Sequence, residues 1–399
     1  MTSASSARFL PAGVATAGSA VAFSSLYLGA GALTPLLVAY QTRWDFPPAM
    51  LNVAFAVYAV GFLVAALTLG SLSDHVGRRP VLAGALVVQL ASDVLFLVGT
   101  DIGWVIAGRV VQGVASGAAT SAFTAALVEL APRGRKNLGA VLGNVSLTGG
   151  LALGSLLAGL ALQFSPDANE IVFVVLIVLT VVGGVAVIAS PETAGGQGGT
   201  ARSLVPRVTV PAPARAQFAA LAPVIAAVWM LAGLSGGLAP AMVRSVFALD
   251  SGFVNGFTGF VAPAVATLVA LLLTRMSAGR ATGIGIAASL IGSLGIVAGI
   301  SADSLAIVLA GQAIAGLAFG ASFSGAIRLI LPLAPAHQRA AVVAAVYVVS
   351  YLAFGVPIVV EGVLATPFGT VPAVVGYTIV TILLTLVSLL AQLRLRRTV

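Results

Sequence analysis

The sequence predicts an all-α membrane protein, twelve transmembrane helices arranged as two pseudo-symmetric six-helix bundles, and three observations carry that prediction. Hydrophobic residues make up 59% of the 399 and charged residues only 8%, where a soluble domain carries roughly a quarter charged residues; the mean hydropathy is +1.12. The few charges are gathered into short breaks between long apolar runs: none lies from Leu51 to Leu69 or from Pro80 to Ser92. And the chain resembles itself when its first half is laid over its second.

A bilayer core of roughly 30 Å takes about 20 apolar residues per helix, and twelve such segments follow one another at 13–40, 48–70, 80–99, 102–131, 138–163, 170–189, 216–243, 252–274, 281–300, 303–331, 340–363 and 370–392. The first is too long for a secretory signal, has only Arg8 before it and is one of many, so it reads as a helix that stays in the membrane. The segments are continuous apolar runs, not alternating ones, which excludes a β-barrel. The longest polar break, Ser190 to Gln217, is rich in Gly, Pro and Thr and reads as a tether. It divides the chain into bundles at 1–189 and 218–399, with a cytoplasmic linker at 190–217.

The breaks alternate in charge. Arg8, Arg78, Arg79, Arg133, Arg135, Lys136, Arg202, Arg207, Arg215, Arg275, Arg280, Arg339, Arg394, Arg396 and Arg397 fall in one set of loops and the two ends. The other set holds only Arg43 and Arg244, beside Asp45, Asp101, Asp167, Glu170, Asp250 and Asp303. Basic loops stay on the cytoplasmic side, so both ends are expected there. The pI near 10.8 thus records topology, with lipid headgroups as counter-charge, and no nucleic-acid patch is expected.

Shifted by 203 residues, "GRVVQGVASGAA" from Gly108 falls on "GQAIAGLAFGAS" from Gly311, pairing Gly113 with Gly316 and Gly117 with Gly320. Shifts of 202 and 201 bring Gly77 and Arg78 onto Gly279 and Arg280, and "LALG" from Leu151 onto "LAFG" from Leu352. Duplicated bundles of this kind build many secondary transporters, with a site between the halves.

The break "GSLSDHVGRRPVL", Gly70 to Leu82, holds Asp74, Gly77, Arg78 and Arg79 between the second and third segments. It resembles the signature loop of the major facilitator superfamily. Arg109, Gln112 and Gly113 in the fourth segment are similar to that family's R-x-x-Q-G motif, and the likeness extends over the whole chain through helix number and duplication. The resemblance implies alternating access, with Gly70, Asp74, Gly77, Arg78 and Arg79 as a latch that pairs with neighbouring helix ends in one state and biases a two-state equilibrium. In the fifth segment, Gly150, Gly154 and Gly159 keep part of the family's antiporter motif, but Ser155 stands where that motif has proline and Ala158 where it has glycine. Close helix packing accounts for the same glycines equally well.

Chemistry is limited by what is missing. There is no cysteine, and the single lysine, Lys136, is followed by Asn137, so no nucleotide-hydrolysing loop of the Walker type is encoded. No cofactor, metal site or enzymatic activity is expected, which leaves an ion gradient, protons by family likeness, as the energy source, or facilitated passage with none. Ionisable residues within helices cost roughly 2.5 to 3.5 kcal/mol on insertion scales and mark function by default. Here they are Asp93, Arg109, Arg328 and Glu361, with Glu129 nearer the cytoplasmic end. Asp93 and Arg109 each lie eight residues from Asp101, hence at one depth about 12 Å below the outer surface on adjacent antiparallel helices. Both charges are missing together from the second half, which predicts an ion pair, static or mechanistic.

Gln112, Ser116 and Thr120 continue one polar stripe beyond Arg109. By the family's cavity-lining helices, Tyr27, Trp229, Gln312 and Phe323 become candidate substrate contacts. Tyr347, Tyr351 and Phe354 share a face with Glu361, a residue that either exchanges a proton or stands as a solvated carboxylate at the outer helix end. The expectation is a monomeric proton-coupled efflux carrier in a bacterial cytoplasmic membrane, acting on small, mostly apolar organic molecules. Transport of a polar metabolite such as a sugar, and a transporter-like receptor that no longer transports, are the alternatives.

Overall fold

The computed structural model describes residues 9–132, 134, 136–195 and 204–397; Arg8, Arg133, Arg135, Arg202 and the linker's 196–203 lie outside them, as do the side chains of Lys136, Arg396 and Arg397. Among the described residues, twelve helices are long and apolar enough to cross a membrane: α1 Ala12–Trp44, α2 Pro48–Leu69, α3 Arg78–Val98, α4 Ile102–Leu130, α5 Asn137–Phe164, α6 Ala168–Ala189, α7 Ala212–Ser245, α8 Gly252–Leu272, α9 Ala278–Ser301, α10 Leu305–Leu333, α11 Ala336–Phe368 and α12 Thr370–Leu395. No strand occurs among the described residues.

Local chemistry sets the ends. Asp101 opens α4 by accepting from the amides of Gly103 at 2.7 Å and Trp104 at 3.4 Å, and Ser251 opens α8 through the amide of Val254 at 3.3 Å, each satisfying donors a helix start leaves without partners. Gly77, at φ 111°, breaks the chain between the short turn Leu72–Val76 and α3. That turn lies where the sequence predicts only a loop. Two helices carry π segments, Val145–Gly149 in α5 and Leu234–Leu238 in α7. Extra residues inserted into the helical ladder at such places mark functional sites, and both segments border the central cavity.

The repeated glycines have one job in both halves. A Cβ on Gly113 would run into the carbonyl of Tyr58, and one on Gly316 into the carbonyl of Ala262. The glycines let α4 close on α2 and α10 close on α8, since helix backbones in membranes meet over small residues. Large apolar side chains such as Val87, Phe164, Val185, Leu268 and Val363 cover the outer surface, as a lipid-facing belt requires.

The halves meet along α2–α11 and α5–α8. Ser155 Oγ donates to the Gly256 carbonyl at 2.9 Å, and Gly159 faces Gly256 so closely that a Cβ on it would lie 2.6 Å from the Gly256 Cα. Gly159 therefore serves the seam between the halves, while Gly150 and Gly154 pack against Tyr27 and Leu28 of α1.

Candidate functional site: a central cavity and its two ends

The central cavity lies between the halves and takes its walls from α1, α2, α4, α5, α7, α8, α10 and α11. Its surface is mainly aromatic and small: Tyr27, Phe55, Tyr58, Trp229, Phe319 and Tyr351 stand in it among alanines and glycines. Trp229 is the hub of the aromatic wall, with ring centroids 5.4 Å from Phe319, 5.6 Å from Phe323, 4.8 Å from Tyr351 and 6.2 Å from Phe354. Tyr27 joins α1 to α4 through a hydrogen bond to Thr120 Oγ1 at 2.8 Å.

Arg109 is the cavity's one charged wall residue. It is 2% exposed and its guanidinium carbon sits 4.2 Å from the ring centroid of Tyr58 and 5.2 Å from that of Phe55. Its Nε donates to the Ala54 carbonyl at 3.1 Å and its Nη1 to Gln112 Oε1 at 2.8 Å. Desolvated cation–π contacts are worth about 2 kcal/mol, so two ring faces and two oxygens hold this cation without a carboxylate.

The expected Asp93–Arg109 ion pair is therefore absent. Equal depth is a one-dimensional constraint and leaves the rotation of each helix open. Asp93, 0% exposed, turns instead toward its own helix and accepts from Gln89 Nε2 at 2.8 Å. Arg328 is a second correction, because it is exposed one turn from the end of α10, where its Nη2 donates to the Met276 carbonyl at 2.7 Å. Glu361 is buried, 5% exposed, and accepts from Asn52 Nδ2 at 3.0 Å; the solvated-carboxylate alternative fails because α2 covers it.

Of the remaining candidates, Tyr27, Trp229 and Tyr351 line the cavity. Phe323 and Tyr347 stand behind it against Trp229 and Tyr351, and Gln112, Ser116 and Gln312 are fully buried within their bundles. The sequence reading missed Phe55 and Tyr58, although Phe55, Tyr58 and Phe62 repeat at helical spacing along one face of α2.

Both ends of the seam are built from named contacts. At the end away from the basic loops, Arg244 of α7 hydrogen-bonds Thr42 and, at 2.6 Å, Gln41 Oε1 of α1. Asn52 of α2 donates to the Ile358 carbonyl and to Glu361 of α11, each at 3.0 Å, and Ser251 of α8 donates to Gln163 of α5 at 2.9 Å. At the basic end the α2–α11 contact finishes in an aromatic layer, where Phe62 stacks on Tyr351 at 4.0 Å.

Beyond that layer the signature loop keeps to its own half. Arg78 pairs with Asp74 at 2.5 Å and Glu129 at 3.3 Å, and donates to Ser73 Oγ at 2.6 Å. Glu192, in the chain after α6, accepts from the backbone amides of Arg78 at 2.8 Å and Arg79 at 3.1 Å. A carboxylate there complements the positive end of α3. Gly77 is fixed twice over, by its positive φ and because a Cβ would lie 2.7 Å from Glu192 Oε2. Glu192 was not read as a partner in the sequence, since 114 residues separate it from Arg78.

Two six-helix bundles around a shared cavity, closed at one end and carrying a charge network at the other, form the duplicated architecture on which many secondary transporters are built. The Major Facilitator Superfamily model matches residues 19–357, and the chain belongs to that family. It is 34% identical over 116 residues to the class C tetracycline resistance protein of Escherichia coli, covering 28% of this chain and 29% of that one. It is 28% identical over 169 residues to the minor myo-inositol transporter IolF of Bacillus subtilis, covering 42% and 38%. The matched segments thus span well under half the length of these relatives. Among solved structures, a bacterial homologue of the human lysosomal transporter Spinster, inward-facing and unoccupied, superposes with a TM-score of 0.75 at 14% identity, covering 95% of this chain and 96% of that one. At that identity the likeness concerns the fold.

Proposed function

We propose that this transporter exports small, mostly apolar organic molecules in exchange for protons, by alternating access. The observation that carries the reading is the cavity wall, in which aromatic rings and small residues surround a single cation, Arg109. Such a surface pays little desolvation cost to an apolar solute and offers few fixed hydrogen bonds to a sugar. The likeness to a tetracycline resistance protein supports it. The basic loops and both described ends are assigned to the cytoplasm by their charge, so the seam is closed outward and the cavity faces inward. Asp74, Gly77, Arg78 and Arg79, with Gly70 leading into the turn, act as the latch, and Glu129 and Glu192 are its anchors.

A polar-metabolite carrier is the second reading. It is favoured by the likeness to a myo-inositol transporter and by donors in the cavity wall, Trp229 Nε1 and Ser235 Oγ, that have no partner among the described residues. Everted membrane vesicles energised with a proton gradient separate the two. The proposal expects accumulation of apolar aromatic solutes and none of labelled polyols or hexoses; the reverse pattern overturns it in favour of the second reading.

A further inference from the structure

The two halves differ at one place where the duplication makes them comparable. In the first half, the connection 70–77 between α2 and α3 holds the helical turn Leu72–Val76, and it is tied to α4 where Ser121 Oγ donates to the Gly70 carbonyl at 2.8 Å. The shift of 203 carries Gly117, Ala118 and Ser121 onto Gly320, Ala321 and Ser324 of α10. There the connection 273–277 is shorter and holds only the tight turn Leu273–Arg275. Beside that shorter connection lies a cleft of ≈ 240 Å³, lined by Ala270, Leu273, Ala281, Gly320, Ala321, Ser324 and Arg328.

The cleft has the chemistry of an amphiphile's two ends. Its floor is alanine, glycine and leucine. Its mouth, in the last turns of α8 and α10 and the first turn of α9, holds Arg328, which spends one nitrogen on the Met276 carbonyl and has no carboxylate in ion-pair reach among the described residues. Arg275 and Arg280 are exposed at the same end. The only acidic side chains from residue 218 onward are Asp250, Asp303 and Glu361, and all three belong to the opposite half of the membrane. A positive rim with no carboxylate among the described residues, beside a slot floored by alanine, glycine and leucine and edged by Ser324, suits an anion carrying an apolar chain.

We propose that this cleft binds an anionic phospholipid from the leaflet at the basic face, with its phosphate on Arg328 and an acyl chain against the alanines, glycine and leucine of the slot. Phosphate is matched by a guanidinium through paired N–H donors.

The test is native mass spectrometry of the full-length protein in detergent, titrated with phosphatidylglycerol, phosphatidylcholine or inorganic phosphate. Phosphatidylglycerol should bind more tightly than phosphatidylcholine, and Arg328→Gln should weaken it about fivefold, as expected for one interfacial arginine, bringing it to the phosphatidylcholine level. Ser324→Phe, which fills the slot with an exposed position's side chain, should weaken both lipids, and Arg215→Gln, a basic residue elsewhere on the same face, should change neither. The proposal is overturned if the two lipids bind alike, if Arg215→Gln acts as strongly as Arg328→Gln, or if Ser324→Phe leaves lipid binding intact. Displacement of the lipid by inorganic phosphate at equal concentration would show a plain anion site and would also overturn it.

Discussion

Arg109 is a buried arginine with no acid in ion-pair reach among the described residues, and the proposed transport turns on it. Arg109 is held by ring faces and by neutral oxygens, so its charge stays available to whatever enters the cavity. The residues proposed as the latch are placed differently. Asp74 is 53% exposed, and its contact with Arg78 is screened; such a pair contributes only about 0–1 kcal/mol to folding, yet that is enough to shift a two-state conformational balance several-fold. Asp74→Asn should therefore cut transport strongly while leaving membrane insertion and thermal stability near the parent's. Normal flux, measured in vesicles of equal protein content, would remove the latch assignment. At this scale the sequence revealed which residues were charged inside helices but not what they touched. Asp93 and Arg109 share a depth and miss each other, because sequence distance fixes height along a helix and says nothing of rotation between helices.

Helix pairing explains why the internal repeat survives in a chain of such low diversity. Gly113 and Gly316 occupy equivalent places where α4 meets α2 and α10 meets α8, each against a carbonyl of the neighbouring helix. Enlarging either side chain separates two backbones in close contact. Gly113→Val and Gly316→Val should each cost about 1–3 kcal/mol and lower the thermal midpoint in detergent by similar amounts; Gly84→Val, with open space around it, should change it little. The elements themselves were the most legible level. Twelve apolar runs became twelve helices, with ends displaced by a few residues, because length and hydropathy alone decide what spans a bilayer. The turn Leu72–Val76 and the π segments of α5 and α7 were not legible, since they depend on contacts made after the helices pack.

Two properties belong to the whole molecule, orientation and coupling. Orientation rests on charge distribution, and the absence of cysteine makes it simple to measure. Single cysteines at Arg207 and Arg397 should react with an impermeant thiol reagent only from the cytoplasmic side, and one at Asp250 only from outside. Any other pattern reverses the assignment of the basic face. The fold class was readable because duplication and charge alternation act over the full length of the chain. The cavity was readable only in part, since Phe55 and Tyr58 entered it from a helix that the family likeness did not mark as lining. Coupling is the central claim, and proton movement in proteoliposomes containing a pH-sensitive dye measures it most directly. Adding an apolar aromatic solute should start a proton flux opposite in direction to the solute, and Arg109→Gln should abolish this flux in a protein that still inserts and melts cooperatively. Solute movement at full rate with no accompanying proton flux would contradict it.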